Sequence, residues 1–211
     1  MMRIGVLAIQ GDFAAHARAL ARIGVDAIEV RRAAELRQVN GLIIPGGEST
    51  TMLKFITDEN LATPIMGFAK AGNPVFGTCA GAILLAREVI NPSQPSLGLI
   101  DITIERNAYG RQVDSFISEV ETNLKGGPME AVFIRAPRIR RTGNGVSVLA
   151  SIYDEPVFVR EGNILAATFH PELTTDERAH RLFAEIVSMM KYDAVGETQS
   201  HLNAQPSSLG V

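Results

Sequence analysis

Phe76-Gly77-Thr78-Cys79-Ala80-Gly81 is the stretch from which the fold can be read. Pro74 to Gly77 is strand-like, and Ala82 to Val89 carries a small-residue, apolar helical pattern. A strand that passes straight into a helix needs a very tight turn. Small residues two places before and two places after its centre let the backbone bend without a clash. Gly77 and Gly81 hold those places around Cys79. A side chain at such a bend stands at the end of a parallel strand. Beside it are the free N–H groups and the positive dipole end of a helix N-terminus. That setting favours a reactive thiolate. The N–H of Ala80 would face an oxyanion formed by attack on a carbonyl. The bland alternative is a small buried cysteine beside a glycine turn. The strand–turn–helix context favours the reactive reading.

Outward from that turn, short apolar runs alternate with helical patterns. Ile4–Ile9 is a continuous apolar run, as expected of a strand buried on both faces. Asp12 is placed to cap the next helix, with Phe13, Ala17, Leu20 and Ile23 facing in and Gly24 as its stop. Ala27–Val30 and Leu42–Ile44 read as strands, and Ser49 to Ile56 and Leu61 to Ala71 as helices. Downstream, Ile100–Ile104, Ser115–Glu121, Ala131–Ile134, Val146–Ile152, Val157–Val159 and Ile164–Thr168 read as strands separated by Gly, Pro and Asn turns. Asp176 to Lys191 is the last clear helix, with Leu182, Phe183, Ile186 and Val187 facing in. The expected fold is α/β: a parallel sheet covered by helices, with an antiparallel section added in the second half. One domain over residues 1–191 is expected, followed by a polar, mobile tail over 192–211.

Composition excludes several classes. Of 211 residues, 46% are apolar, enough for a real core. The formal net charge is -3, so no basic excess is present to displace counterions from a nucleic acid. The single cysteine cannot form an internal disulfide or a Cys-rich metal cluster, which fits a reducing compartment. No run approaches the ~20 apolar residues of a membrane helix, and a cytoplasmic protein is expected.

A thiolate nucleophile needs an acid/base partner. Of the four histidines, His16 and His180 lie on expected helices and read as helix-surface residues, and His201 is in the tail. His170 differs: it follows the apolar strand Ile164–Phe169 and begins His170-Pro171-Glu172. Such strand ends gather sites in parallel sheets. Glu172, across the rigid Pro171, is placed to hold the imidazole as the third member of a triad does. The loop Pro45-Gly46-Gly47-Glu48-Ser49-Thr50-Thr51 follows the third strand. Gly47 N–H is a candidate second oxyanion donor, and Glu48 a candidate acceptor for an α-ammonium group. Ser49 or Thr50 is placed to cap the next helix, and the phosphate-loop pattern is missing. Arg106 and Arg135 are candidates for an α-carboxylate, although arginines beside strands are usually surface residues. Arg138, Arg140 and Arg141 read first as a solvated basic loop, and second as a partner or anion contact.

From about Ile4 to Met190 the chain resembles the glutaminase subunits of pyridoxal 5′-phosphate synthase, within the class I glutamine amidotransferases. The cysteine turn and His170-Pro171-Glu172 are motifs of the whole class. The more specific segments are Gly5-Val6-Leu7-Ala8-Ile9-Gln10-Gly11-Asp12, the glycine loop, and Phe133-Ile134-Arg135-Ala136-Pro137. The resemblance implies a three-layer, flavodoxin-like α/β fold whose mostly parallel sheet has an antiparallel extension. It implies Cys79 as nucleophile, His170 as acid/base and Glu172 as its orienting partner. It implies glutamine contacts from Gly47, Glu48, Ser49, Arg106, Ile134 and Arg135, an oxyanion hole from Gly47 and Ala80, and a partner-responsive Gln10-Gly11 peptide. The implied substrate is L-glutamine. The implied partner is a (β/α)8-barrel synthase subunit, twelve copies with twelve. No cofactor and no metal are implied. Three rival readings remain: another amidotransferase of the class, a hydrolase of the same architecture, and an idle binding module.

Overall fold

The computed structural model describes residues 2–106 and 115–202, with side chains through Met190. In chain order the elements are β1 (Arg3–Leu7), α1 (Phe13–Arg22), β2 (Asp26–Val30), β3 (Gly41–Ile44), α2 (Ser49–Asp58), α3 (Ala62–Lys70), β4 (Val75–Thr78), α4 (Ala80–Leu85), β5 (Ala86–Ile90), β6 (Ile100–Glu105), β7 (Ser115–Thr122), β8 (Met129–Ile134), β9 (Arg138–Thr142), β10 (Ser147–Ile152), β11 (Glu155–Glu161), β12 (Ile164–Ala167) and α5 (Arg178–Leu202). Among the described residues, no helix is long and apolar enough to cross a membrane.

The main sheet has the order β2-β1-β3-β4-β12-β11-β10-β7-β8. From β2 to β12 the neighbours are parallel. From β12 to β8 they are antiparallel. The parallel half has the flavodoxin-like order, with β12 as its fifth strand. Its strands carry unbroken apolar runs because both faces are covered. Ile4, Val6, Ile43, Phe76, Leu165 and Ala167 join the core under α1 and α5. Their alternating neighbours Leu7, Leu42, Ile44, Val75, Ile164 and Ala166 join the core under α2, α3 and α4. Burying a side chain such as Phe76, 0% exposed, contributes about 1.5–3 kcal/mol.

Several local expectations are corrected. The helix after the cysteine turn stops at Leu85 rather than Val89, and Ala86–Ile90 is strand β5. β-branched Val89 and Ile90 favour a strand, and β5 pairs with β6, which pairs with β9, in a separate three-stranded sheet. Part of the second half therefore leaves the main sheet instead of extending it. The basic segment Arg138–Thr142 is strand β9, not a loop. Ile139 is buried, and the arginines meet acids from distant strands: Arg140 pairs with Glu105, Arg141 with Asp101, and Arg138 Nε lies 3.3 Å from Glu155. Asp12 stands at the N-cap of α1, but its side chain makes no capping hydrogen bond. The fully buried face of α1 is Ala15, His16, Ala19 and Leu20, with Phe13 and Ile23 packed at its margin. Helix α5 runs on to Leu202, past the expected end at Lys191. No proline interrupts it there, and Gly196 alone costs only about 1 kcal/mol. The remainder of the expected tail, 203–211, lies outside the described residues.

Candidate active site

Four parallel strands end on the same edge, and the loops leaving them build one pocket of about 320 Å³. From these loops come Gln10 after β1, Gly47, Glu48 and Ser49 after β3, Cys79 and Ala80 after β4, and His170 after β12. Arg106 after β6, and Ile134 and Arg135 at the end of β8, close the far wall. Every residue expected to contact substrate thus lines a single cavity. Ile83 and Pro137 also line it and were not anticipated. Glu172 does not; it sits behind His170, only 4% exposed. Gly11 does not line the pocket either, and instead packs against Gly46 of the glycine loop.

The cysteine turn has the tightness that its glycines announced. A Cβ on Gly81 would lie 2.0 Å from the carbonyl oxygen of Ile44, and one on Gly77 2.6 Å from the backbone of Gly81. Cys79 itself sits at φ 47°, ψ −105°, a conformation that L residues rarely adopt and that such nucleophile turns impose. Its N–H donates to Ala167 O at 2.8 Å, which pins the turn to β12. Its Sγ points across the pocket to Ile134 O at 3.8 Å. Ala80 opens α4, where the first amides have no partner within the helix. Arg135, on the facing wall, is also left-handed, at φ 43°.

Cys79 and His170 both line this pocket, close enough for the cysteine to raise the pKa of the imidazole. A Cβ on Gly46 would lie 2.3 Å from His170 Cε1 and 3.3 Å from Cys79 Cβ, so only glycine lets that loop pass the pair. His170 Nδ1 lies 2.7 Å from Glu172 Oε1. Burial works against a charge on His170, but the hydrogen bonds to Cys79 and Glu172 override it and lift its pKa to about 10. Burial likewise opposes a charge on Glu172. The two imidazoles beside it, His16 and His170, more than compensate, and the carboxyl stays below its ordinary value. Charge is therefore stored as an ion pair at the pocket wall.

The glycine loop both caps and lines. Glu48, not Ser49 or Thr50, caps α2: its carboxylate accepts from Thr50 N–H at 3.1 Å and Thr51 N–H at 2.7 Å. Partial burial opposes this charge, yet those bonds hold the carboxyl at about 2. Ser49 Oγ donates to Gln94 Oε1 at 3.1 Å. Arg106 is drawn in from the surface, with Nη2 3.1 Å from Thr50 Oγ1 and 3.6 Å from Glu48 Oε1. Gln10 Oε1 accepts from Glu48 N–H at 3.1 Å. A Cβ on Gly11 would strike Gly46 O at 1.8 Å. The Gln10-Gly11 peptide thus presses directly on the loop that carries Gly47.

His16 and His180 correct the sequence reading most sharply. Both were expected on helix surfaces, and both are 0% exposed. His16 Nε2 lies 3.3 Å from Glu172 Oε2 and 3.1 Å from Thr78 Oγ1, and His16 Nδ1 lies 3.0 Å from His180 Nε2. The signal was present in the spacing. His16 stands three and four residues before Ala19 and Leu20, and His180 the same distances before Phe183 and Ala184, which places both rings on the buried helix faces.

Comparison with known proteins agrees with this geometry. Residues 6–189 match the family model of the SNO glutamine amidotransferase family. The chain is 54% identical over 189 residues to "Pyridoxal 5'-phosphate synthase subunit PdxT" of Solibacter usitatus, covering 87% of this chain and 98% of that one. It is 52% identical over 187 residues to the protein of the same name from Thermotoga maritima, covering 88% and 100%. A crystal structure of a glutamine amidotransferase superposes with TM-score 0.83 at 49% identity, covering 88% of this chain and 98% of that one. The structure of PurLQS from Thermotoga maritima matches with TM-score 0.68 at 18% identity, over 90% and 99%, a likeness of fold alone.

Proposed function

The chain belongs to the SNO glutamine amidotransferase family, and from that premise we propose how its pocket works. It acts as the glutaminase subunit of a pyridoxal 5′-phosphate synthase, hydrolysing L-glutamine to L-glutamate and ammonia. The observation that carries the residue roles is the convergence of Cys79, His170 and the glycine loop in one pocket, with Glu172 directly behind His170.

The Cys79 sulfur attacks the side-chain amide carbon of glutamine. The carbonyl oxygen takes up the electron pair as an oxyanion, held by the N–H groups of Gly47 and Ala80. His170 gives its proton to the leaving nitrogen, the C–N bond breaks, and ammonia departs from a γ-glutamyl thioester. His170 then takes a proton from water, whose oxygen attacks the thioester. The C–S bond breaks, glutamate leaves and the sulfur is restored. Glu172 holds Nδ1 of His170 so that Nε2 faces the reacting atoms. Arg106 and Arg135 serve the α-carboxylate. Glu48 and Ser49 serve the α-ammonium side, and the Ile134 carbonyl edge completes the wall.

The same proposal covers assembly. Ammonia passes to a synthase subunit, read from the resemblance as a (β/α)8 barrel in a complex of twelve with twelve, and used there to build pyridoxal 5′-phosphate. Docking is sensed through Gln10-Gly11. The contacts of this peptide with Gly46 and Glu48 give it a lever on the Gly47 donor. One lost oxyanion donor costs about 10²–10³ in rate. A cytoplasmic location suits an enzyme whose one cysteine must stay reduced.

Glutamine hydrolysis measured with and without a candidate synthase, for wild type and Cys79→Ala, tests the reading. Activity in the wild type alone, rising on docking, is the expected result. An active Cys79→Ala variant rules out the nucleophile, and full activity of the lone subunit rules out gating. Light scattering of the complex tests the stoichiometry.

A further inference from the structure

Behind the pocket lies a wholly buried cluster for which the chemistry above has no use. Glu172 has two carboxylate oxygens. Oε1 faces His170. Oε2 faces the core, with His16 Nε2 3.3 Å away but no regular hydrogen bond. The same nitrogen is 3.1 Å from the hydroxyl of Thr78, the residue before Cys79. His16 and His180 come from opposite ends of the chain, on α1 and α5, and meet under the main sheet.

We propose that His16 is a positioning residue for the active site: backed by His180, it anchors the inner oxygen of Glu172 and the Thr78 hydroxyl, fixing the carboxylate relative to the strand end that carries Cys79. The proposal rests on the roles given above to Cys79, His170 and Glu172.

The charge of Glu172 favours one arrangement of tautomers. An ionised Glu172 only accepts, so its Oε2 at 3.3 Å favours the proton on His16 Nε2, where the Thr78 hydroxyl can also accept it, and leaves Nδ1 as an acceptor. His180 then donates from its Nε2 to His16 Nδ1, which leaves His180 Nδ1 bare. That nitrogen is the His180 ring atom without a partner. In this arrangement both imidazoles are neutral. The surroundings favour the same state. Burial and the nearby His170 push the pKa of His16 down, against the pull of Glu172 and Asp12. Burial, His16 and Arg22 push His180 down to about 3, against Glu172. A neutral donor holds the carboxylate without competing with the His170 cation for its charge. A charged His16 would draw that charge away from the pocket.

The test compares kcat, KM for glutamine and the pH profile of kcat/KM in the complex with the synthase. The variants are His16→Gln, His16→Met and, as control, Cys79→Ala. Gln keeps an N–H donor at the reach of Nε2, and Met fills the space without one. His16→Met is expected to lose about 10–100-fold in kcat, the scale seen when outer partners of an oriented histidine are removed, with KM nearly unchanged. Its alkaline limb should move down by about half a pH unit or more, because a loosened Glu172 supports the His170 cation less well. His16→Gln should recover most of both. A folded His16→Met with wild-type kcat and pH profile overturns the proposal, as does a His16→Gln no better than His16→Met. Where His16→Met does not fold, nitrogen NMR of the wild-type imidazoles decides. Neutral Nε2–H tautomers at His16 and His180 between about pH 6 and 8 are expected. A His16 that titrates there, or carries its proton on Nδ1, overturns the proposal. An active Cys79→Ala brings down the underlying roles; an inactive one beside an unaffected His16→Met brings down this inference alone.

Discussion

His170 and His16 both face the Glu172 carboxylate, one from the pocket and one from the core, and their surroundings drive them in opposite directions. His170 meets a thiol as well as the carboxylate, and its pKa rises to about 10 despite burial. His16 meets the same carboxylate, but its complete burial and the His170 cation outweigh it, and its pKa falls. Proximity to a carboxylate therefore does not fix the charge of a histidine. What decides it is whether the remaining neighbours repay the cost of desolvation. The pocket side stores a charged pair for chemistry, and the core side supplies neutral hydrogen bonds.

The sharpest way to break this contrast is on the pocket side. Cys79→Ala removes the proposed nucleophile, and the glutaminase rate in the presence of the synthase should fall by about 10⁴-fold or more. Glu172→Gln keeps the shape but offers both imidazoles a neutral partner. A loss of about 10³–10⁴-fold in kcat is expected from steady-state kinetics, with little change in KM. Gly46→Ala places a methyl group against His170 Cε1. Displacing that ring should cost about 10²-fold in kcat/KM, since misplacement by an ångström has that effect.

The core side is exposed by stability rather than rate. His180, and with it His16, binds its proton less readily in the folded chain than in the unfolded one, where the ordinary value is 6.5. Stability should therefore be lost as pH falls below 6.5, by up to about 1.4 kcal/mol per pH unit for each ring. Urea midpoints at several pH values measure this, and His180→Leu should flatten the slope. His170 has the opposite sign. Its folded-state proton contributes stability that is full below 6.5 and is lost as pH rises toward 10. Cys79→Ala should weaken that alkaline limb. The smallest effect is expected away from both sides: Arg140→Ala breaks half-exposed ion pairs to Glu105 and Glu155. Its cost in a thermal melt should stay within about 1 kcal/mol.

Much of the site was legible because its chemistry is local in sequence. Gly77 and Gly81 flank Cys79, and Glu172 stands two residues from His170, so turn geometry and triad spacing could be read along the chain. Arg138 to Thr142 was harder. Three arginines in five residues look solvated until the acids that pair with them arrive from β6 and β11. Asp12 was misread for the converse reason: a good capping residue sits at the right place without making the bond.

By itself the sequence determined the parallel layer, through its unbroken apolar runs, and the tight cysteine turn, through glycines whose positions no other residue fits. Only the tertiary structure decided that Ala86–Ile90 and Arg138–Thr142 form a second sheet with Ile100–Glu105, that Glu48 is the residue capping α2, and that His16 and His180 lie against Glu172. Periodicity reports which face of an element is buried. It carries no information about which distant element covers that face, and the protonation of a buried imidazole depends on its burial together with that neighbour.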